Sequence, residues 1–312
     1  MKTISFFSYK GGAGRSTLAF NVIPILARDH FRPTAQSPMI IVDTDVDSCG
    51  MSYLLKAEDK VTDTNCIQYL LGNPFVKKKY EYIDDHPFLS QLIPVGNAFG
   101  YSDDYAILLL PAKDNRNICK DGKNNYAESG GTSFMERLRS FLEVCDDCFD
   151  VPAVVFDSSV GNTALANISN EAANIIVCVM RPTIQFVNGT RRYLTDVEEG
   201  RKFNGGGGKE IILVPNVVPD KEITIGNAIY PDTAIDRIIN AFVNSKTFVN
   251  SSENTYHLDM LNPDAFGIPM VDSFMYVEGQ LFNKKNFYGN EELVLSRYKK
   301  LAKLINDIES EY

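Results

Sequence analysis

Six short runs of the chain are apolar at nearly every position: residues 3–8 (TISFFS), 39–44 (MIIVDT), 106–111 (AILLLP), 151–157 (VPAVVFD), 174–180 (NIIVCVM) and 210–215 (EIILVP). Strands covered on both faces have this composition, because neither side of the pleat meets water. Between the runs the spacing becomes helical. Phe134, Leu138, Phe141, Leu142 and Val144 fall on one helical face, as do Phe186, Tyr193, Leu194 and Val197. A further face runs over 291–308 through Leu293, Val294, Tyr298, Leu301, Leu304, Ile305 and Ile308. Alternating strands and helices predict an α/β protein with a doubly wound, mostly parallel sheet and helices on both faces.

The polar stretch 112–132 and the four glycines Gly205 to Gly208 predict surface loops. Neither marks a boundary, so one domain is expected over 1–312, with the pattern clearest in 1–217 and a C-terminal part, 218–312, ending in a helix.

After the first strand come Lys10, Gly11, Gly12, Ala13, Gly14, Arg15, Ser16 and Thr17, then the helix-compatible run from Leu18 to Asp29. Glycines let a backbone curl until successive N–H groups point at one phosphate, and the helix N-terminus adds the positive end of its dipole. A hydroxyl such as that of Ser16 suits Mg²⁺. The usual phosphate-loop pattern, GxxxxGK[ST], would put lysine at position 15, where this chain has Arg15. Pro24 lies inside the expected helix and should kink it.

A lysine at the head of the loop, in the form KGGxGxST, resembles the deviant phosphate loop of the ParA/MinD family, related to the nitrogenase iron protein class. The resemblance implies a SIMIBI-like P-loop fold, ATP and Mg²⁺ as cofactors, and Lys10 reaching across a homodimer to the partner's phosphates. It also implies that the run IVDTDVDSCG supplies Asp45 to orient the attacking water and Asp43 as an acid near the metal. Asp157, at the end of VVFDSSVGN, would support Mg²⁺ with Ser16, and Asn216 would read the adenine edge, since one amide both donates and accepts. The chain departs from the family pattern at Val46, Asp47, Ser158, Ser159 and Val160 as well as at Arg15. Arginine keeps the charge but is planar and forked where lysine is a point charge.

The expected function is that of a dimerising, slowly hydrolysing ATPase switch in DNA partition or positioning. A nearly inactive nucleotide sensor and an iron–sulfur carrier ATPase stand as alternatives, the latter on Cys145 and Cys148 (CDDC). The net charge of −9 opposes DNA and anionic membrane unless basic residues gather. Two clusters do so: Arg191, Arg192, Arg201 and Lys202, then Arg297, Lys299, Lys300 and Lys303. Ordinary solvated helix faces have the same look, and nonspecific DNA and a protein activator are the partners to be tested. The six cysteines are read as reduced thiols and the address as cytoplasmic; the acidic end NDIESEY offers no membrane anchor. His30, His86 and His257 show no ligand spacing.

Overall fold

The structure is a computed structural model that describes the chain apart from residues 102–105, 115–130, 201–207, 220–222, 226–227, 231, 263–265, 272–273, 275–279 and 310–312. Most of the 112–132 loop, Gly205 to Gly207, Arg201, Lys202, Cys119 and the last three residues of the acidic end lie outside the described residues.

The six apolar runs become β1 (Lys2–Phe7), β2 (Met39–Asp43), β4 (Ile107–Leu110), β5 (Ala153–Asp157), β6 (Ile175–Met180) and β7 (Glu210–Val218). Short strands β3 (Ile93–Pro94), β10 (Thr255–His257) and β11 (Ile268–Pro269) complete a nine-stranded sheet, and β8 (Ile223–Ile225) pairs with β9 (Ala228–Tyr230) in a separate hairpin. The order across the large sheet is β10-β7-β6-β1-β5-β2-β4-β3, with β11 also on β7. All pairings in it are parallel except β3 on β4. The sheet is thus doubly wound about β1, as the alternation of elements requires.

The longer helices are α1 (Arg15–Leu26), α2 (Gly131–Phe149), α3 (Ala164–Ala172), α4 (Ile184–Glu198) and α5 (Glu291–Asp307). Along β2, Met39 and Ile41 face the core shared with α1, while Ile40 and Val42 face the core shared with Phe141 and Leu142 of α2. Period-two alternation therefore feeds two hydrophobic layers from strands that are apolar throughout. Polar groups inside the sheet are paired. Ser5 donates to Asn170 Oδ1 at 2.6 Å, and Asn170 donates to the Tyr193 hydroxyl at 2.8 Å, which ties β1 to α3 and α4.

Pro24 sits buried within α1, and the helix widens into a π-helical turn at Ala27–Phe31. Proline lacks the backbone donor that would meet the carbonyl of Phe20, so its own effect falls on the turn before it. α5 packs along α1. Its C-terminal carbonyls are capped from a distance: Lys2 Nζ donates to Ile305 O at 2.9 Å, Asn306 O at 2.5 Å and Ile308 O at 2.6 Å. A cation at the negative end of a helix dipole is favourable, and it fastens β1 to α5.

Candidate functional site

β1, β5 and β2 have their C-terminal ends side by side, and loop 8–14 runs from β1 over that edge into α1. Gly14 is the N-cap of α1 with φ 78°, a left-handed conformation that β-carbon-bearing residues adopt at a cost. Its carbonyl accepts the first helical bond, from Leu18 N at 2.9 Å. A Cβ on Gly14 would stand 2.6 Å from Asn216 Nδ2. That same nitrogen donates to Ala13 O at 2.8 Å. Asn216, expected at an adenine edge, is buried at the end of β7 and spends its amide donor on the loop. The next residue, Val217, has φ 58°, an uncommon conformation for a β-branched side chain, so the corner that delivers Asn216 is strained.

The loop forms one wall of a cleft of roughly 450 Å³, and Asp45, Asp47, Ser48 and Leu54 contribute the other. That volume suits a small ligand such as a nucleotide. Gly11 and Gly12 border open space, so backbone rather than side chain faces the cleft there.

Arg15 lies inward, only 5% exposed. Its Nε donates to Asp157 Oδ1 at 2.7 Å, and its NH2 donates to Asp45 Oδ2 at 2.8 Å and to Ser16 Oγ at 3.2 Å. Ser16 Oγ donates to Asp157 Oδ2 at 2.7 Å, and Ser48 Oγ donates to Asp45 Oδ2 at 2.7 Å. NH1 of Arg15 is buried and has no partner among the described residues. Burial opposes the arginine charge but is outweighed by Asp157 and Asp45, which hold the guanidinium above its ordinary pKa. Burial pushes Asp157 upward against the pull of Arg15 and Ser16.

Asp43 has a different position. Its Oδ2 accepts from Ser52 N at 2.9 Å and Ser52 Oγ at 2.8 Å, and its Oδ1 from Asp45 N at 3.0 Å. Fully buried, it shapes the turn that presents Asp45 and does not line the cleft. Burial, reinforced by the negative charge of Asp157, pushes its carboxyl up to about 7.

Lys10 leaves the cleft altogether. Its ammonium donates to Gln185 Oε1 and stands 5.8 Å from the Phe186 ring centre, both on the first turn of α4, beside the largely exposed Ile184. Tyr9 packs into α4 as well, where a Cβ on Gly189 would fall 2.1 Å from Tyr9 Cδ1. Ser48, Ser52, Gln185 and Gly189 were not singled out in the sequence. The hydroxyls of Ser48 and Ser52 lie within nine residues of Asp43, a signal no motif marks, and Gln185 is 175 residues from Lys10.

Ser16 and Asp157 are brought together as expected for Mg²⁺, and a hydroxyl with a carboxylate is an oxygen set of the type the ion takes. A positive group already occupies their open side, however. With the Arg15 guanidinium on Ser16 Oγ, Asp45 and Asp157, this arrangement does not fit a divalent ion. Elsewhere, Cys145 is fully buried and burial pushes its thiol well up, which disfavours the thiolate an iron–sulfur ligand needs. The described residues contain no cluster of histidine, cysteine or acidic side chains that could hold a metal, and no helix among them is long and apolar enough to cross a membrane.

A glycine loop between a central strand and a helix, with carboxylates at the C-terminal ends of β5 and β2, makes this a P-loop α/β fold of the MinD/ParA type. A McdA variant from Cyanothece complexed with ATP is similar at 15% identity, covering 100% of this chain and 98% of that one with a TM-score of 0.58. MinD of Pyrococcus horikoshii complexed with Mg-ADP is similar at 15% identity, over 98% and 96% of the two chains, with a TM-score of 0.56. A Borrelia burgdorferi protein assigned to plasmid partition, bound to AMPPNP, is similar at 14% identity over 97% of each chain, with a TM-score of 0.54. At these identities the likeness is one of fold. No family model and no curated protein matches the sequence.

Proposed function

We propose that the chain is an ATP-binding switch of the ParA/MinD kind, which takes the triphosphate in the cleft under loop 8–14 and closes as a homodimer. The observation that carries this reading is the direction of Lys10. Gly11, Gly12, Ala13 and Gly14 line the cleft, yet the lysine just before them lies outside, on an exposed turn of α4 beside Ile184. A lysine held there cannot serve its own cleft, whereas a second subunit docked on α4 would receive it. In this scheme Asp45, at the cleft wall with its carboxylate fixed by Ser48, orients the attacking water. Lys10→Ala should therefore leave ATP affinity nearly unchanged while removing ATP-induced dimerisation in light scattering. Dimerisation equal to that of the unaltered protein would restrict the likeness to the fold.

A nucleotide sensor with little turnover is favoured by one observation: Arg15 binds Asp45 directly, so the carboxylate assigned to water is already committed. Steady-state phosphate release separates the two. For DNA, α5 exposes Lys299, whose charge acts on Asp29, whereas Lys300 Nζ donates to Asp259 O at 2.9 Å and Lys303 pairs with Asp307.

A further inference from the structure

The substitution of arginine for lysine in the loop places a cation where the sequence led us to expect a metal. Three facts define it. The proton of Ser16 Oγ goes to Asp157 Oδ2, at 2.7 Å, which leaves the serine lone pairs for a positive partner, and Arg15 NH2 faces them at 3.2 Å. The same guanidinium joins the two strand ends, through Nε to Asp157 at 2.7 Å and through NH2 to Asp45 at 2.8 Å. Its third nitrogen, NH1, is buried without a partner among the described residues, on a side chain that is 5% exposed and lines the cleft. A buried donor left unpaired is unfavourable until an acceptor arrives. The protein oxygens bonded to this guanidinium are held by Nε and NH2, and an anionic oxygen of a ligand would supply the acceptor that NH1 lacks.

Resting on the reading that the cleft takes ATP, we propose that Arg15 replaces the divalent ion, its guanidinium linking Asp45, Asp157 and Ser16 on one side to a phosphate oxygen at NH1 on the other, so that the nucleotide binds without Mg²⁺. Lysine cannot do this. It has a single nitrogen at the end of a flexible stem, whereas the guanidinium directs donors from three nitrogens in a fixed plane and forks onto carboxylate and phosphate alike. A divalent ion entering the same oxygens would stand in contact with the fixed charge of Arg15 and would be repelled by it.

Isothermal titration of the whole chain with ATP, once in excess Mg²⁺ and once in EDTA, decides the matter. The two affinities of the unaltered protein should agree within about threefold, while Arg15→Lys, which frees the oxygens, should bind at least about tenfold more tightly with Mg²⁺ than without, a difference of roughly 1.4 kcal/mol. Tenfold or greater loss of affinity in EDTA by the unaltered protein overturns the proposal, and this holds even if the variant does not fold. A folded Arg15→Lys protein that stays indifferent to Mg²⁺ overturns the role given to Arg15. Binding in neither buffer is a separate outcome, since it removes the nucleotide reading itself and this inference with it.

Discussion

Replacing Gly14 by alanine tests whether the loop is braced by Asn216. Two costs are legible at this position. A residue with a Cβ in the left-handed region loses roughly 1–2 kcal/mol relative to glycine. The added Cβ would also meet Asn216 Nδ2 at 2.6 Å, too close to remain, so the amide must give up its 2.8 Å bond to Ala13 O. A buried donor and acceptor separated in this way cost about 1–3 kcal/mol. Gly14→Ala should therefore destabilise the ligand-free protein by about 2–5 kcal/mol, or roughly 4–10 °C in melting temperature. Gly11→Ala is the control: nothing lies within 4 Å of its Cβ and its φ is not positive, so the change should be within about 0.5 kcal/mol. Asn216→Ala removes the obstacle. In that background Gly14→Ala should cost only the backbone share, leaving the double variant about 1–3 kcal/mol more stable than the sum of the two single changes. Urea denaturation of the five proteins measures this. Strict additivity would refute the brace and leave Asn216 free for another role.

Asp45→Ala should still bind and dimerise with ATP but release no phosphate, because ground-state contacts survive while the water loses its orienting acceptor; turnover at the unaltered rate would dismiss Asp45 from that role. Lys209 donates to the carbonyls of Glu171 at 2.7 Å and Ala173 at 2.8 Å, and its burial lowers the pKa from 10.5 to about 8. Between these values the unfolded chain binds the proton more tightly, so stability rises with pH by at most about 1.4 kcal/mol per unit. Comparison with Lys209→Met from pH 7 to 10 should show this slope only in the unaltered protein, and parallel curves would refute it. Alanine at Arg297, Lys299, Lys300 and Lys303 should abolish any ATP-dependent retention on nonspecific DNA at low salt. An unaltered protein that ignores DNA under those conditions loses the partition role.

The sheet was legible because its strands are buried on both faces and carry that fact in every residue. β3, β10 and β11, two or three residues each, are too short to show any period. The glycine loop, Asp45 and Asp157 were visible for a similar reason: each stands at the end of an apolar run. What surrounds them was not visible. Arg15 meets Asp45 and Asp157 across 30 and 142 residues of sequence, so nothing local announces that a loop arginine will turn inward onto both. Asp43 and Asp45 look equivalent in IVDTDVDSCG, yet β2 ends at Asp43, whose carboxyl meets Ser52 in the core, while Asp45 stands in the turn beyond it at the cleft. Asn216 was expected at an adenine edge and instead donates to the loop carbonyl of Ala13, because a lone asparagine says nothing about which atoms its amide will face.

The position of β1 in the middle of the sheet imposes an order on the birth of the molecule. β1 is made early, yet its neighbours are β5 and β6, so it has no strand to pair with until Ala153–Asp157 has left the ribosome. Until then Arg15 and Ser16 lack Asp157, and the glycine turn lacks its brace until Asn216 follows. Lys2 waits longest, for the carbonyls of Ile305, Asn306 and Ile308. Under the proposed reading, a nucleotide would therefore have no finished cleft to bind while the chain grows. An interrupted chain ending before β7 would lack the Asn216 brace of the glycine turn and leave apolar strands unpaired, with no finished cleft through which a ligand could stabilise it.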